Sequence, residues 1–177
     1  LTNSDVLKGA EGVRFRGSAR FEPYEGETSP TVKGEFLVTS YGLSGIASME
    51  LARYVSKALE RTGAENRKHG DSIGKIVIDF LPEIGLNELM SHLVSSAHAF
   101  SADGERQEHF RHDPRRLYTG QTASSLNTAE EMVELNALLA GVVPEKIALV
   151  ILSSITIDRL QKPQLFAAIA DSLKKFE

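Results

Sequence analysis

Hydrophobic and polar residues alternate through residues 11–21, EGVRFRGSARF: Val13 and Phe15 interleave with Arg14 and Arg16, and Ala19 and Phe21 continue the period. A period of two sends one set of side chains to a core and the other to water. The segment therefore predicts a half-buried strand with an arginine-bearing outer face. Residues 22–31, EPYEGETSPT, hold two prolines, a glycine and three acids and read as a loop or hairpin tip. Residues 32–39, VKGEFLVT, are a second strand, antiparallel to the first. Gly42 and Gly45 then break the strand pattern, and Ser44 is placed to cap a helix. From Ile46 the apolar positions Met49, Leu51, Ala52, Val55 and Leu59 follow helical spacing, and Gly63 is suited to end that helix. A polar loop, 64–72, leads to a third strand at 74–81, which Pro82 stops.

After that strand the period changes. Residues 86–98 predict a helix. Residues 101–125 are polar and broken by Asp103-Gly104 and Asp113-Pro114. Residues 128–140 predict a helix capped by Thr128, with Glu131 completing a capping box and Gly141 closing it. Pro144 sits at the first turn of another helix, to about residue 153. Pro163 opens a last one, with Leu165, Phe166, Ile169, Leu173 and Phe176 along one side. The pattern is α+β: residues 1–84 are β-rich with one helix, and residues 85–177 are a helical subdomain. Three strands and a helix leave sheet edges unpaired. Further strands are therefore expected at one or both ends, and with Leu1 as its first residue the chain is expected to be a piece of a larger protein.

Composition narrows the chemistry. The 177 residues suit one domain, or a domain with a subdomain, and 41% hydrophobic with 25% charged residues is ordinary for a globular core. With no cysteine in the chain, disulfides, thiolate zinc ligands and cysteine nucleophiles are excluded. A net charge of −4 argues against a general nucleic-acid surface. No apolar run reaches membrane-spanning length and no secretory leader is read before the first strand, so a cytoplasmic location is expected.

The candidate chemical groups are sparse. His109 and His112, followed by Asp113, could meet a metal, but two histidines without a third convergent ligand read better as a solvated loop. His92 and His98, six apart, point to different helix faces, and His69 lies in a polar loop. Arg111, Arg115 and Arg116 beside Tyr118 could hold an anion, yet Glu105, Glu108 and Asp113 balance them locally. Ser124-Ser125 and Ser153-Ser154 read as loop or helix-end residues, and no nucleophile elbow, Walker loop or dinucleotide glycine fingerprint occurs. The informative stretch is Gly34 to Gly45, GEFLVTSYGLSG, where a strand runs into two glycines three apart and a helix follows. Such glycines permit positive φ and close backbone approach, and free N–H groups at a helix start can meet an anion or a carbonyl. A ligand-facing turn and a tight strand-to-helix connection are both open readings.

The same stretch, GEFLVTSYGLSGIASMELAR, resembles the signature of the aminoacetone-oxidase-like, or BaiN-type, FAD-dependent oxidoreductases, approximately G-E-hydrophobic-L-F-T-H-Y-G-L/I-S-G before a helix. GVRFRGSARF resembles an upstream strand of that family, IDFLPEIGLNEL a strand ending in L-P, and LLAGVVPEKIALVILSSITID a helix pair. The resemblance covers most of residues 10–175 in order. It implies a chain inserted between the two halves of an FAD-binding domain: a β-barrel-like antiparallel sheet, incomplete here, with an inserted all-helical subdomain. It further implies FAD in the full-length parent and none retained by this piece, which lacks the helix that takes the pyrophosphate. Partners would be the FAD-binding domain of the same parent and a small-molecule substrate. Thr39, Tyr41, Gly42, Ser44 and Gly45 are the implied flavin-facing residues. The sequence departs from the family where Ser40 replaces a frequent His and Ile46 a frequent Pro. The expected role is to cover the flavin and shape the substrate pocket, with no catalysis in isolation. The alternative is a stand-alone protein- or ligand-binding module without redox function. A self-contained hydrolase fails because no nucleophile, base and orienting acid can be assembled.

Overall fold

A computed structural model describes residues 4–61, 72–102, 133, 135–155 and 162–177, with the side chains of 4–5, 98–102 and 162–163 left aside. A short 3₁₀ turn, Ser4–Leu7, precedes strand β1, Arg14–Pro23. The strand starts three residues later than its alternation begins. Gly9 and Gly12 hold φ of 95° and 83° and turn the chain, and the Gly12 N–H donates to the Val38 carbonyl at 2.9 Å. Strand β2, Val32–Thr39, pairs antiparallel with β1, with Phe15 opposite Phe36 and Gly17 opposite Gly34. A short strand, β3, Gly42–Ser44, folds back on β2. Helix α1, Ile46–Arg61, follows, and strand β4, Gly74–Asp79, returns along the other side of β1. The sheet order is β3-β2-β1-β4, an antiparallel half-barrel that curls without closing, and the fold is α+β.

Register decides the faces. Phe15, Ala19 and Phe21 of β1 and Val32, Phe36 and Val38 of β2 are buried on one face, and Arg14, Arg16, Lys33 and Glu35 are exposed on the other. Helix α1 lies directly on β2. A Cβ added to Gly34 would stand 3.0 Å from the Ala47 Cβ, so glycine there sets the approach. The face of α1 turned inward carries Ala47 and Leu51, with Tyr54, Val55 and Ala58 half-buried beside them. This corrects the helical stripe expected from spacing: Ile46, Met49, Ala52 and Leu59 face away from the core.

The helical half packs into the same core. Helix α2, Leu86–Ala102, buries Leu89 and Leu93; residues 135–139 are helical; helix α3, Glu145–Ser154, and helix α4, Lys162–Lys174, follow. Thr128 and Glu131, expected as a capping box, lie outside the described residues. The rings of Phe36, Phe15, Phe80 and Phe176 run in a chain with centroid spacings of 5.4, 4.9 and 5.6 Å, tying β2, β1, the end of β4 and the C-terminal residues together. Beyond α4, Phe176 makes one bridge to Ile78 on the outer edge of β4, with N–H to carbonyl bonds of 2.7 and 2.9 Å. Sheet and helices share one continuous cluster of buried side chains.

Candidate functional site: the β2–β3–α1 junction

The glycine-rich stretch is a hairpin followed at once by a helix. Ser40 and Tyr41 form a two-residue turn between Thr39 and Gly42, which pair across it. The Thr39 hydroxyl donates to the Gly42 carbonyl at 2.7 Å and clamps the turn. Gly42 adopts φ of 124°, a region that L-residues rarely enter. Leu43 then returns opposite Val38, and Ser44 opposite Leu37. Short loops of this kind need glycine for their backbone geometry.

Gly45 has a separate reason to be glycine. Its φ is 107°, and a Cβ there would lie 2.8 Å from the Glu35 carbonyl oxygen and 3.7 Å from the Phe36 Cα. The close approach is to the protein's own strand β2. Gly45 also occupies the cap position of α1, since its carbonyl accepts from the Met49 N–H at 3.1 Å. Ser44, expected as the cap, is instead a β3 residue; its carbonyl accepts from the Ser48 hydroxyl at 3.1 Å. The reason is that β3 extends the sheet through Ser44, so the helix starts one residue later, without a side-chain oxygen on its first N–H groups.

The five residues singled out in the sequence thus lie within one short segment, in different roles. Thr39 and Ser44 are committed to holding the hairpin, and Gly42 and Gly45 to its backbone path. Tyr41 stands free at the tip, 70% exposed. Ile46 and Met49, one turn apart on α1, are 82% and 66% exposed. In the sequence Met49 is one of the apolar positions at helical spacing that follow Ile46. Only a register that places Ala47 and Leu51 inward exposes Ile46 and Met49, and spacing alone does not choose between the two faces.

Elsewhere the candidate groups separate. His92 is exposed on α2. His69, His109, His112, the Arg111–Arg115–Arg116 cluster, Tyr118 and Ser124-Ser125 lie outside the described residues, as does the His98 side chain. The Ser153 and Ser154 hydroxyls donate to the Val150 and Ile151 carbonyls at 2.8 and 2.7 Å, as helix-end residues do. Among the described residues no three His, Asp or Glu side chains gather as a metal would need, and no helix is long and apolar enough to cross a membrane. A cleft of about 490 Å³ between the β1–β2 loop and the C-terminal half of α1 had no counterpart in the sequence reading. No protein-family model matches the chain, and no curated protein matches it.

Proposed function

We propose that this chain is the substrate-side, flavin-covering insert of an FAD-dependent oxidoreductase, working with the FAD-binding domain of its parent and performing no redox chemistry alone. The observation that carries the reading is the junction from Thr39 to Met49, where a clamped hairpin presents the Tyr41 ring and the first turn of α1 presents Ile46 and Met49 outward. Large apolar groups held at one end of a rigid element are suited to cover a planar ring and exclude water. The FAD ring would supply the electron acceptor. Of the residues expected to meet it, Tyr41 and the first N–H groups of α1 are left free to do so. Thr39, Gly42, Ser44 and Gly45 serve by holding the turn. The edge of β3, unpaired among the described residues, suits a barrel completed by strands of the parent.

The test compares this 177-residue chain with its full reading frame. A yellow full-length protein and a colourless isolated chain are expected by visible absorbance. Replacing Tyr41 by Ser in the full-length protein should lower turnover more than Tyr41→Phe, which keeps the ring. Two colourless proteins would overturn the flavin reading and leave a protein-binding module, for which the exposed Ile46 and Met49 would be the contact.

A further inference from the structure

At the far end of α1 from the hairpin, Tyr54, Lys57 and Arg61 project from successive turns of one helix face into the cleft. The opposite wall is the β1–β2 loop, with Glu25, Glu27 and Thr28, and Phe21, Pro23, Pro30 and Ala58 complete the lining. The loop wall is anchored. Ser29 Oγ accepts from the Phe21 N–H and donates to the Pro30 carbonyl, both at 2.9 Å, and the Ser29 N–H reaches the Phe21 carbonyl at 2.9 Å. The cleft is half open to solvent, with a volume of about 490 Å³.

The two walls carry charges of opposite sign, Lys57 and Arg61 on the helix and Glu25 and Glu27 on the loop. Lys57 and Arg61 are like charges at i, i+4, an arrangement that costs rather than stabilises unless something lies between them. Arg61 reaches the loop: a Cβ built on Gly26 would be 3.8 Å from its Nη1. Gly26 is flanked by Glu25 and Glu27, yet among the described residues neither carboxylate comes within ion-pair distance of Lys57 or Arg61. Five of the seven ion pairs among the described residues join different elements, and none of them uses a charge of the cleft. The Tyr54 hydroxyl also makes no hydrogen bond among the described residues.

We propose that the cleft binds a small zwitterion of the α-amino-acid class. Its carboxylate meets Lys57 and Arg61, its ammonium meets Glu25 and Glu27, and its side chain lies against Phe21, Pro23 and the Tyr54 ring. A simple anion would satisfy the helix wall but be repelled by the loop wall, and a simple cation the reverse. A molecule with both charges uses every group. Because both walls border solvent, binding is weak, in the millimolar range, as exposed charge contacts require.

The experiment titrates the isotope-labelled 177-residue chain with each standard amino acid singly and follows backbone amide shifts. At least one should give saturable shifts centred on the amides of Ser29, Tyr54 and Arg61. The amine and the acid made by removing its carboxylate or its amino group should bind about tenfold more weakly. Arg61→Gln and Glu27→Gln should each weaken binding about tenfold at unchanged melting temperature. No saturable shift from any amino acid would overturn the proposal. So would an acid that binds as tightly as the parent zwitterion, or affinity unchanged in both variants.

Discussion

Lys174 is the side chain on which the join between sheet and helices most depends. It ends α4 and reaches back to the segment after β4. Its ammonium donates to the Leu81 carbonyl at 2.7 Å, the Ile84 carbonyl at 2.8 Å and Asp79 Oδ2 at 2.7 Å. Three N–H donors meet three acceptors, so the group is fully satisfied. The other Asp79 oxygen accepts from the Leu81 N–H at 2.9 Å. The Lys174 and Asp79 side chains are 16% and 19% exposed, so the pair is neither free in water nor sealed. Breaking a buried pair costs about 3–5 kcal/mol and an exposed one about 0–1. At this exposure Lys174→Met, which keeps the apolar stem, should cost about 2–3 kcal/mol, because two carbonyls and a carboxylate lose their donor. Urea unfolding followed by circular dichroism should show a midpoint lower by about 1 M, taking a typical small-protein slope. Lys174→Arg should recover only part of this, since a planar fork cannot aim at three divergent acceptors. Adding Asp79→Asn to Lys174→Met should cost less than the sum of the single changes. If Lys174→Met unfolds within about 0.5 kcal/mol of the parent, the range of an ordinary surface change, the reasoning is refuted.

Other consequences are checked on the same melts. Gly45→Ala should destabilise by about 2 kcal/mol or more, because a positive φ and a 2.8 Å approach to the Glu35 carbonyl act together; an unchanged midpoint would mean that α1 does not lie so close to β2. Ile151→Ala, at a fully buried site of α3, should cost about 2–5 kcal/mol, and a cost below 1 kcal/mol would place α3 outside the core. The hydrogen bond from Arg20, with Lys75 nearby, holds the Glu22 carboxyl below the usual carboxylate range. Its contribution is therefore present above the unfolded-state pKa and fades as pH falls through the lower folded value, so Glu22→Gln should flatten the acid limb of stability against pH. Lys75 is raised, chiefly by its hydrogen bond to Glu177, so its contribution is present below the ordinary lysine pKa and is lost as pH rises through the raised value. Lys75→Gln should flatten the alkaline limb, and an unaltered profile would dissociate the C-terminal residue from β4.

The long elements were legible because their signals are local. Alternation placed β2 at its observed bounds and put Arg14 and Arg16 on the outer face of β1. The helices after Pro144 and around Pro163 follow from helical spacing and the restricted backbone of proline. What stayed hidden depends on contacts distant in sequence. Strand β3 has only three residues and one apolar side chain, so nothing but its pairing with β2 marks it as a strand. The inward face of α1 is chosen by the fit of Ala47 against Gly34, a small-on-small contact invisible to a count of large apolar positions. The cleft was illegible for the same reason: Glu25 and Glu27 become neighbours of Lys57 and Arg61 only when α1 lies along the β1–β2 loop. At the junction itself, the sequence signalled glycine conformations without saying what they served, and the answer at Gly45 is the protein's own backbone.

That last distinction bears on how the two proposed sites relate. Tyr41 and Ile46 lie by the start of α1 and Arg61 is its last residue. At 1.5 Å per residue, Ile46 and Arg61 are about 22 Å apart along the axis. A flavin ring met at the hairpin end cannot share atoms with a zwitterion held at the loop end, so the two readings stand or fall by separate measurements. They are joined through one rigid body, because Ala47 and Leu51 fix α1 to the sheet between them. A ligand that shifted the loop end by tilting α1 would have to move Ala47 against Gly34, where there is no slack to absorb the motion. Binding in the cleft should therefore leave the amide shifts of Ser40 to Ala47 unchanged in the isolated chain. Coordinated shifts at both ends would show that α1 rocks on the sheet and that the packing of Ala47 on Gly34 yields.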